Sequence, residues 1–167
     1  MVVTTMNCEC CDIQTMITAA IEDSIAYTAA KLCTERNKVA VDLKDIAGCG
    51  FEYFIYNLAK CLATNLSQVD ANVEEAYVVG MDATAEHIGG CPLILLLVVN
   101  KQTFALSSVV DQLNKTISGA VKNALSLDSA PAVLLDIEAI EKAKKMEKRG
   151  LAAVINSPWS PAIKLFG

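Results

Sequence analysis

Apolar residues recur along this chain in two different rhythms, and the switches between them mark its elements. From Asp12 onward, Ile13, Met16, Ile17, Ala20, Ile21, Ile25, Thr28 and Leu32 fall at steps of three and four. That spacing puts them on one side of a helix. Asp12 suits the N-cap, and the helix is expected to end near Glu35 to Asn37. Lys38 to Asp42 is either a short extended piece or a linker. Gly48-Cys49-Gly50 breaks the chain, and Phe51, Phe54, Ile55, Leu58, Ala59, Leu62 and Leu66 then give a second amphipathic helix. Ser67 to Asn72 is a polar connection.

The rhythm changes at Glu75 to Val79, where Tyr and Val favour a pleated, half-buried strand. Gly80 ends it, and Met81 to Cys91 is a loop or short turn. After Pro92 the run Leu93 to Val99 is apolar without a break, which predicts a central strand buried on both faces. A third helix starts at Phe104 or Ala105, with Leu106, Val109, Val110, Leu113, Ile117, Ala120, Val121, Ala124 and Leu125 in register. Beyond Pro131, Ala132 to Ile137 is a third strand. Glu138 to Arg149 is a short charged helix stopped by Gly150. Leu151 to Ile155 is a fourth strand candidate, Asn156 to Pro161 a turn, and Ile163 to Phe166 an edge strand. The pattern predicts an α+β fold: two N-terminal helices followed by a small mixed sheet of about four strands packed against helices. Residues 1–11 are expected to be a flexible cysteine-containing tail, and 12–167 a single domain.

The length, 167 residues, fits one domain with a core large enough to need no staples. Hydrophobic residues make up 53% and charged residues 20%, an apolar excess that points to burial beyond one monomer and hence to a homo-oligomer. The longest apolar run is too short to span a bilayer. Met1 to Cys11 has no basic residue and no long apolar core, so no secretory signal is expected and the cytoplasm is the expected location. A net charge of -5 and a pI near 4.9 disfavour a phosphate backbone as partner. The one dense basic stretch, Lys142 to Arg149, is interleaved with Glu141 and Glu147 and follows Glu138. It suits a solvated helix end.

Seven cysteines lie at 8, 10, 11, 33, 49, 61 and 91. An odd number with no secretory context points to reduced thiols. Cys8, Cys10 and Cys11 form the most metal-like cluster, but a closed zinc site wants four ligands. They are metal candidates or else oxidisable thiols in a tail. His87, the only histidine, lies near Asp82 and Cys91, so these three are the candidates for a Cys-His nucleophile pair and its neighbour. No nucleophile-elbow motif accompanies them. Gly89-Gly90 precedes a strand and Gly48-Cys49-Gly50 lacks a following lysine, so neither is a phosphate loop. Trp159, between Pro158 and Pro161, is either a partner-binding anchor or a cover for a sheet edge. No pattern assigns a cofactor.

Four stretches together resemble the minimal nucleotidyltransferase fold of the polymerase-beta-like family. They are Glu75-Ala76-Tyr77-Val78-Val79-Gly80, Leu93 to Val99, Ala132 to Ile137 and Gly150 to Ile155. They resemble that family's glycine-ended first strand, its acid-bearing second strand, the strand of the third acid and the closing strand. The likeness spans roughly residues 55 to 156 and is one of element pattern. The family's paired acids are replaced by Leu93 and Leu95, its third acid falls among Ala132 to Leu134, and Met81 stands where the family has serine. Nucleotidyl transfer needs carboxylates to hold divalent metal against the triphosphate. The resemblance therefore implies a copy that is inactive in that reaction.

Together these features lead to the expectation of a non-catalytic interaction or ligand-binding module, self-associating, with a further protein partner possible and no membrane insertion. The alternatives are an enzyme of unspecified reaction working at Asp82, His87 and Cys91, and a thiol-based metal or redox protein using Cys8, Cys10 and Cys11.

Overall fold

The computed structural model describes residues 9–39, 49–79, 93–126, 135–144 and 162–167; at 9–12, 49–52 and 93 it describes the backbone alone. Among the described residues, three long helices and a four-stranded mixed sheet make up the α+β architecture: α1 (Glu9–Leu32), α2 (Cys49–Val69), β1 (Val73–Val79), β2 (Leu93–Val99), α3 (Phe104–Leu125), β3 (Leu135–Glu141) and β4 (Ile163–Phe166). The two N-terminal helices precede the sheet, as the periodicity predicts.

The sheet order is β3-β2-β1-β4. β1 runs antiparallel to both β2 and β4, whereas β2 and β3 are parallel. The apolar run on β2 is thus an interior strand. Leu95, Leu97 and Val99 join the helix-side core, while Leu96 and Val98 pack on the opposite face with Tyr77 and Ile140. All five are buried, as a two-sided strand requires. Ile163–Phe166 is an edge strand of this sheet, half-buried along its length except at Lys164.

These three helices lie on one face. α2 packs on β1 and β2, α3 packs on β3, and α1 lies across α2 and α3 as an outer layer. One continuous core joins Ile17, Ile21 and Ile25 of α1 to Phe54, Leu58 and Leu62 of α2 and to Leu113 and Ile117 of α3. This stacking absorbs the apolar faces of the first two helices without needing the second face of the sheet.

Local chemistry sets the boundaries. α1 begins at Glu9, ahead of the expected Asp12 cap, so Cys10 and Cys11 belong to its first turn rather than to a tail. Acidic Glu9 and Asp12 complement the positive end of the helix dipole, a favourable interaction that apolar periodicity does not register. α1 also stops early, at Leu32. Cys33 takes a left-handed conformation with φ 52°, its N–H donates to Ala30 O at 3.3 Å, and the Thr34 N–H donates to Ala29 O at 3.0 Å. This is a Schellman termination, made by a cysteine where glycine is usual. A short 3-10 turn at Arg36–Lys38 follows, and Arg36 forms an ion pair back to Glu22. At the start of α3 the Thr103 hydroxyl accepts from Leu106 N–H at 3.1 Å and donates to Asp70 at 2.8 Å. The cap of α3 is thereby tied to the turn that ends α2.

The expected helix over Glu138 to Arg149 needs correction. β3 runs through Glu141 and only a 3-10 turn, Lys142–Lys144, follows within the described residues. Every residue from Leu135 to Glu141 pairs with β2, so ladder formation beside a buried strand overrides the helical preference of a Glu- and Ala-rich segment. The expected strand at Leu151 to Ile155, the turn at Asn156 to Pro161 with Trp159, and Gly48 lie outside the described residues.

Candidate functional site

The fold places a small polar constellation in the groove between α1 and α2. Asn57 sits on the buried side of α2 among Phe54, Ile55 and Leu58, and is only 7% exposed. A buried amide must find partners. Its Nδ2 donates to Asp23 Oδ2 at 2.8 Å and to Ser24 Oγ at 3.2 Å, both on α1. Ser24 in turn donates to Ala20 O at 2.7 Å, within its own helix. One turn after Asn57, the Cys61 thiol donates to the same Asp23 oxygen at 3.3 Å. Asp23 and Ser24 are consecutive, and Asn57 and Cys61 are four apart, so helical geometry brings each pair to the shared groove.

Asp23, Asn57 and Cys61 line an open cleft of about 510 Å3 together with Ala19, Ala20, Lys60 and Thr64. Burial, followed by the hydrogen bond to Asp23 and its negative charge, pushes the Cys61 thiol up to about 11. At neutral pH the sulfur therefore stays protonated and acts as a donor. A nucleophilic cysteine needs the opposite surroundings, a neighbouring cation or helix N-terminus that favours thiolate. At one end of the groove Tyr27 of α1 meets Tyr53 and Tyr56 of α2, each with ring centroids 6.4 Å apart, and the Lys31 ammonium lies 5.5 Å over the Tyr27 ring. The cleft thus offers the Asp23 carboxylate beside Lys60, while the hydrogens of Asn57 Nδ2 and the Cys61 thiol are engaged within the constellation and the tyrosine cluster lies outside the cleft lining.

A second polar group lies on the sheet. Asp136 and Glu138 of β3 stand opposite Ile94 and Leu96 of β2. Neither has an ion-pair partner among the described residues. Burial, and then the negative charge of Asp136, raises the Glu138 carboxyl above the usual range.

Of the residues singled out from the sequence, Asp82, His87 and Cys91 lie outside the described residues, as does Cys8. Cys10 and Cys11 are in the first turn of α1, where the backbone alone is described. Among the described residues, no group of three or more His, Cys, Asp or Glu side chains is placed to hold a metal. Also among the described residues, no helix is long and apolar enough to cross a membrane. Asn57 and Cys61 escape a search for motifs, since they form no motif. Their signal is fainter: an amide on the apolar face of an amphipathic helix, one turn before a cysteine.

No family model, curated protein or solved structure matches this chain. Its function has to be argued from its own geometry.

Proposed function

We propose that this chain is a non-catalytic binding module, which holds a small polar ligand in the α1–α2 cleft and self-associates. The observation that carries this reading is the Asp23–Asn57–Cys61 constellation. Asp23 gathers the Asn57 amide and the Cys61 thiol at the wall of an open cleft, its carboxylate stands beside Lys60 as the polar feature open to a ligand, and the one thiol is kept in the unreactive form. Peptide-resolved alkylation of Cys61 by iodoacetamide tests it. The rate is expected to climb about tenfold per pH unit from neutrality toward pH 10, as thiolate appears below a raised pKa. A plateau near neutral pH would mark an activated nucleophile and overturn the non-catalytic reading. The small-molecule fraction of the native cell extract is expected to protect Cys61, and Asp23→Asn to abolish that protection. An unprotected Cys61 refutes the ligand.

Self-association draws support from two exposed apolar side chains, Phe104 at 90% and Val69 at 56% exposure. They flank the Asp70–Thr103 hydrogen bond, so both belong to one end of the molecule, where α2 stops and α3 starts. An apolar spot rimmed by polar groups is a common form of contact centre. Sedimentation at low micromolar concentration is expected to show a dimer that Phe104→Ser dissociates. A 17.8 kDa monomer for the unmodified chain refutes it.

A second reading, a degenerate nucleotidyltransferase-like scaffold, is favoured by the element order. α2, β1, β2, α3 and β3 follow in sequence, with β2 between the other two strands. Under this reading the chain does not turn over nucleotides. Leu95, at one of the positions that would need an acid, is fully buried in the helix-side core, and its methyl groups offer nothing to a metal. Magnesium-dependent turnover of a nucleoside triphosphate, abolished by mutation within residues 80–99, would contradict it.

A further inference from the structure

The outer edge of β3 is occupied by side chains acting as a strand. The Asn114 amide of α3 bonds both backbone groups of Ile137: its Nδ2 donates to Ile137 O at 3.0 Å, and its Oδ1 accepts from Ile137 N–H at 2.8 Å. Two residues on, Gln102 Nε2 donates to Ala139 O at 3.1 Å. The Gln102 N–H also donates to Glu141 Oε2 at 3.2 Å. Ile137 and Ala139 are the alternate residues whose backbone groups face away from β2, and these are the groups that a neighbouring strand would pair. Two flexible amides thus hold the place of a backbone.

The surroundings suit an extended guest. A depression of about 260 Å3 runs along this edge between α3 and β3, with Leu106, Val110 and Asn114 on one side and Ile137 to Ala139 on the other. Leu106 and Val110 give it an apolar floor on the helix side. On the opposite face of β3 stand Asp136 and Glu138, without ion-pair partners among the described residues. Burial, the negative charge of Asp136 and a side-chain hydrogen bond with it raise the Glu138 carboxyl. A strand laid along β3 sends successive side chains to opposite faces. One set would enter the depression, where Leu106, Val110 and Ile137 supply apolar contact between the polar Gln102, Ser107 and Asp111, and the other would meet the carboxylates.

We infer that the outer edge of β3 is a strand-acceptor site whose partner is an extended peptide alternating basic and apolar residues. The peptide backbone takes over the bonds now made by Asn114 and Gln102, which swing aside. Main-chain pairing supplies the affinity, and the two side-chain environments supply the specificity. This surface is separate from the α1–α2 cleft, and its test is independent of any ligand there.

The test uses three capped pentapeptides and the full chain, followed by the backbone and side-chain amide resonances of the protein. The probes are Lys-Val-Lys-Val-Lys, the block isomer Lys-Lys-Lys-Val-Val, and Glu-Val-Glu-Val-Glu. The alternating basic peptide is expected to bind at least about tenfold tighter than either of the others. It should shift the amides of Ile137 and Ala139 and the side-chain amides of Asn114 and Gln102. Asn114→Ala removes the competing clasp and should tighten binding about tenfold. The double variant Asp136→Asn with Glu138→Gln keeps the clasp and should weaken binding about tenfold. Equal binding of the alternating and block peptides would reduce the effect to charge alone and overturn the inference. So would absence of binding at about 1 mM in both the unmodified chain and Asn114→Ala. If Asn114→Ala instead sediments as a larger oligomer with a newly protected Ile137 amide, the clasp is a guard against pairing with a second copy, and the peptide site is refuted. If Asn114→Ala fails to fold, the unmodified chain and the carboxylate double variant decide the matter.

Discussion

Truncating Leu95 to alanine probes whether β2 is the structural centre of the molecule. Leu95 stands between Val78 of β1 and Ile137 of β3, faces the helices, and has no exposed surface. The substitution removes three carbons. At about 0.8 kcal/mol for each buried carbon, the lost transfer energy is about 2.4 kcal/mol. The space left behind is about 75 Å3 if nothing moves, which adds up to about 1.8 kcal/mol at the cavity coefficient. Strands on both sides and helices above leave little room for collapse, so the expected cost lies at about 3–4 kcal/mol. Urea denaturation followed by circular dichroism measures it, with an unchanged slope showing that the compactness of the end states is preserved. In a chain of this size the midpoint of thermal unfolding should fall by about 6–16 °C. A loss below about 1 kcal/mol would mean that the position is solvated or readily repacked, and the two-sided burial of β2 would be refuted.

Further outcomes follow from other sites. Cys33→Gly is expected to stabilise the fold by about 1 kcal/mol, because the exposed Cys33 holds a left-handed conformation that costs a side-chain-bearing residue about 1–2 kcal/mol, part of which glycine gives back in unfolded-state entropy; a destabilised variant in urea denaturation would refute this. Asp70 is held below the usual carboxylate range by the Asn72 backbone N–H, with help from the hydroxyl of Thr103. A depressed folded-state pKa gives stability that is present above the unfolded value and lost as pH falls through the folded one. Asp70→Asn should therefore flatten the acid limb below about pH 4 in a pH series of unfolding curves, and an unchanged limb would contradict the assignment. Cys61, raised to about 11, has the opposite sign: stability fully present below its unfolded pKa is lost as pH rises toward the folded one. Cys61→Ser should lessen alkaline destabilisation between about pH 9 and 11, by no more than about 1 kcal/mol because the half-exposed site is screened by solvent.

The sequence by itself determined which segments are regular and which of their faces are apolar. α3 begins at Phe104 and ends at Leu125 as its spacing requires, and the break-free run of β2 could only be satisfied by apolar neighbours on both sides. These properties were legible because each depends on residues a few positions apart, and burial of a continuous apolar stripe has few solutions. Three decisions belonged to the tertiary structure. One was the layering of α1 across α2 and α3, which depends on how helical faces match in space. Another was the extension of β3 through Glu141, where pairing with β2 outweighs local propensity. The last was the assembly of the polar sites. Asp23 meets Asn57 across 34 positions, and Asn114 meets Ile137 across 23. No local pattern encodes such meetings, because a hydrogen bond is decided by distances of a few tenths of an ångström. Those distances are fixed only after the apolar faces have packed and set the helices against each other and the sheet.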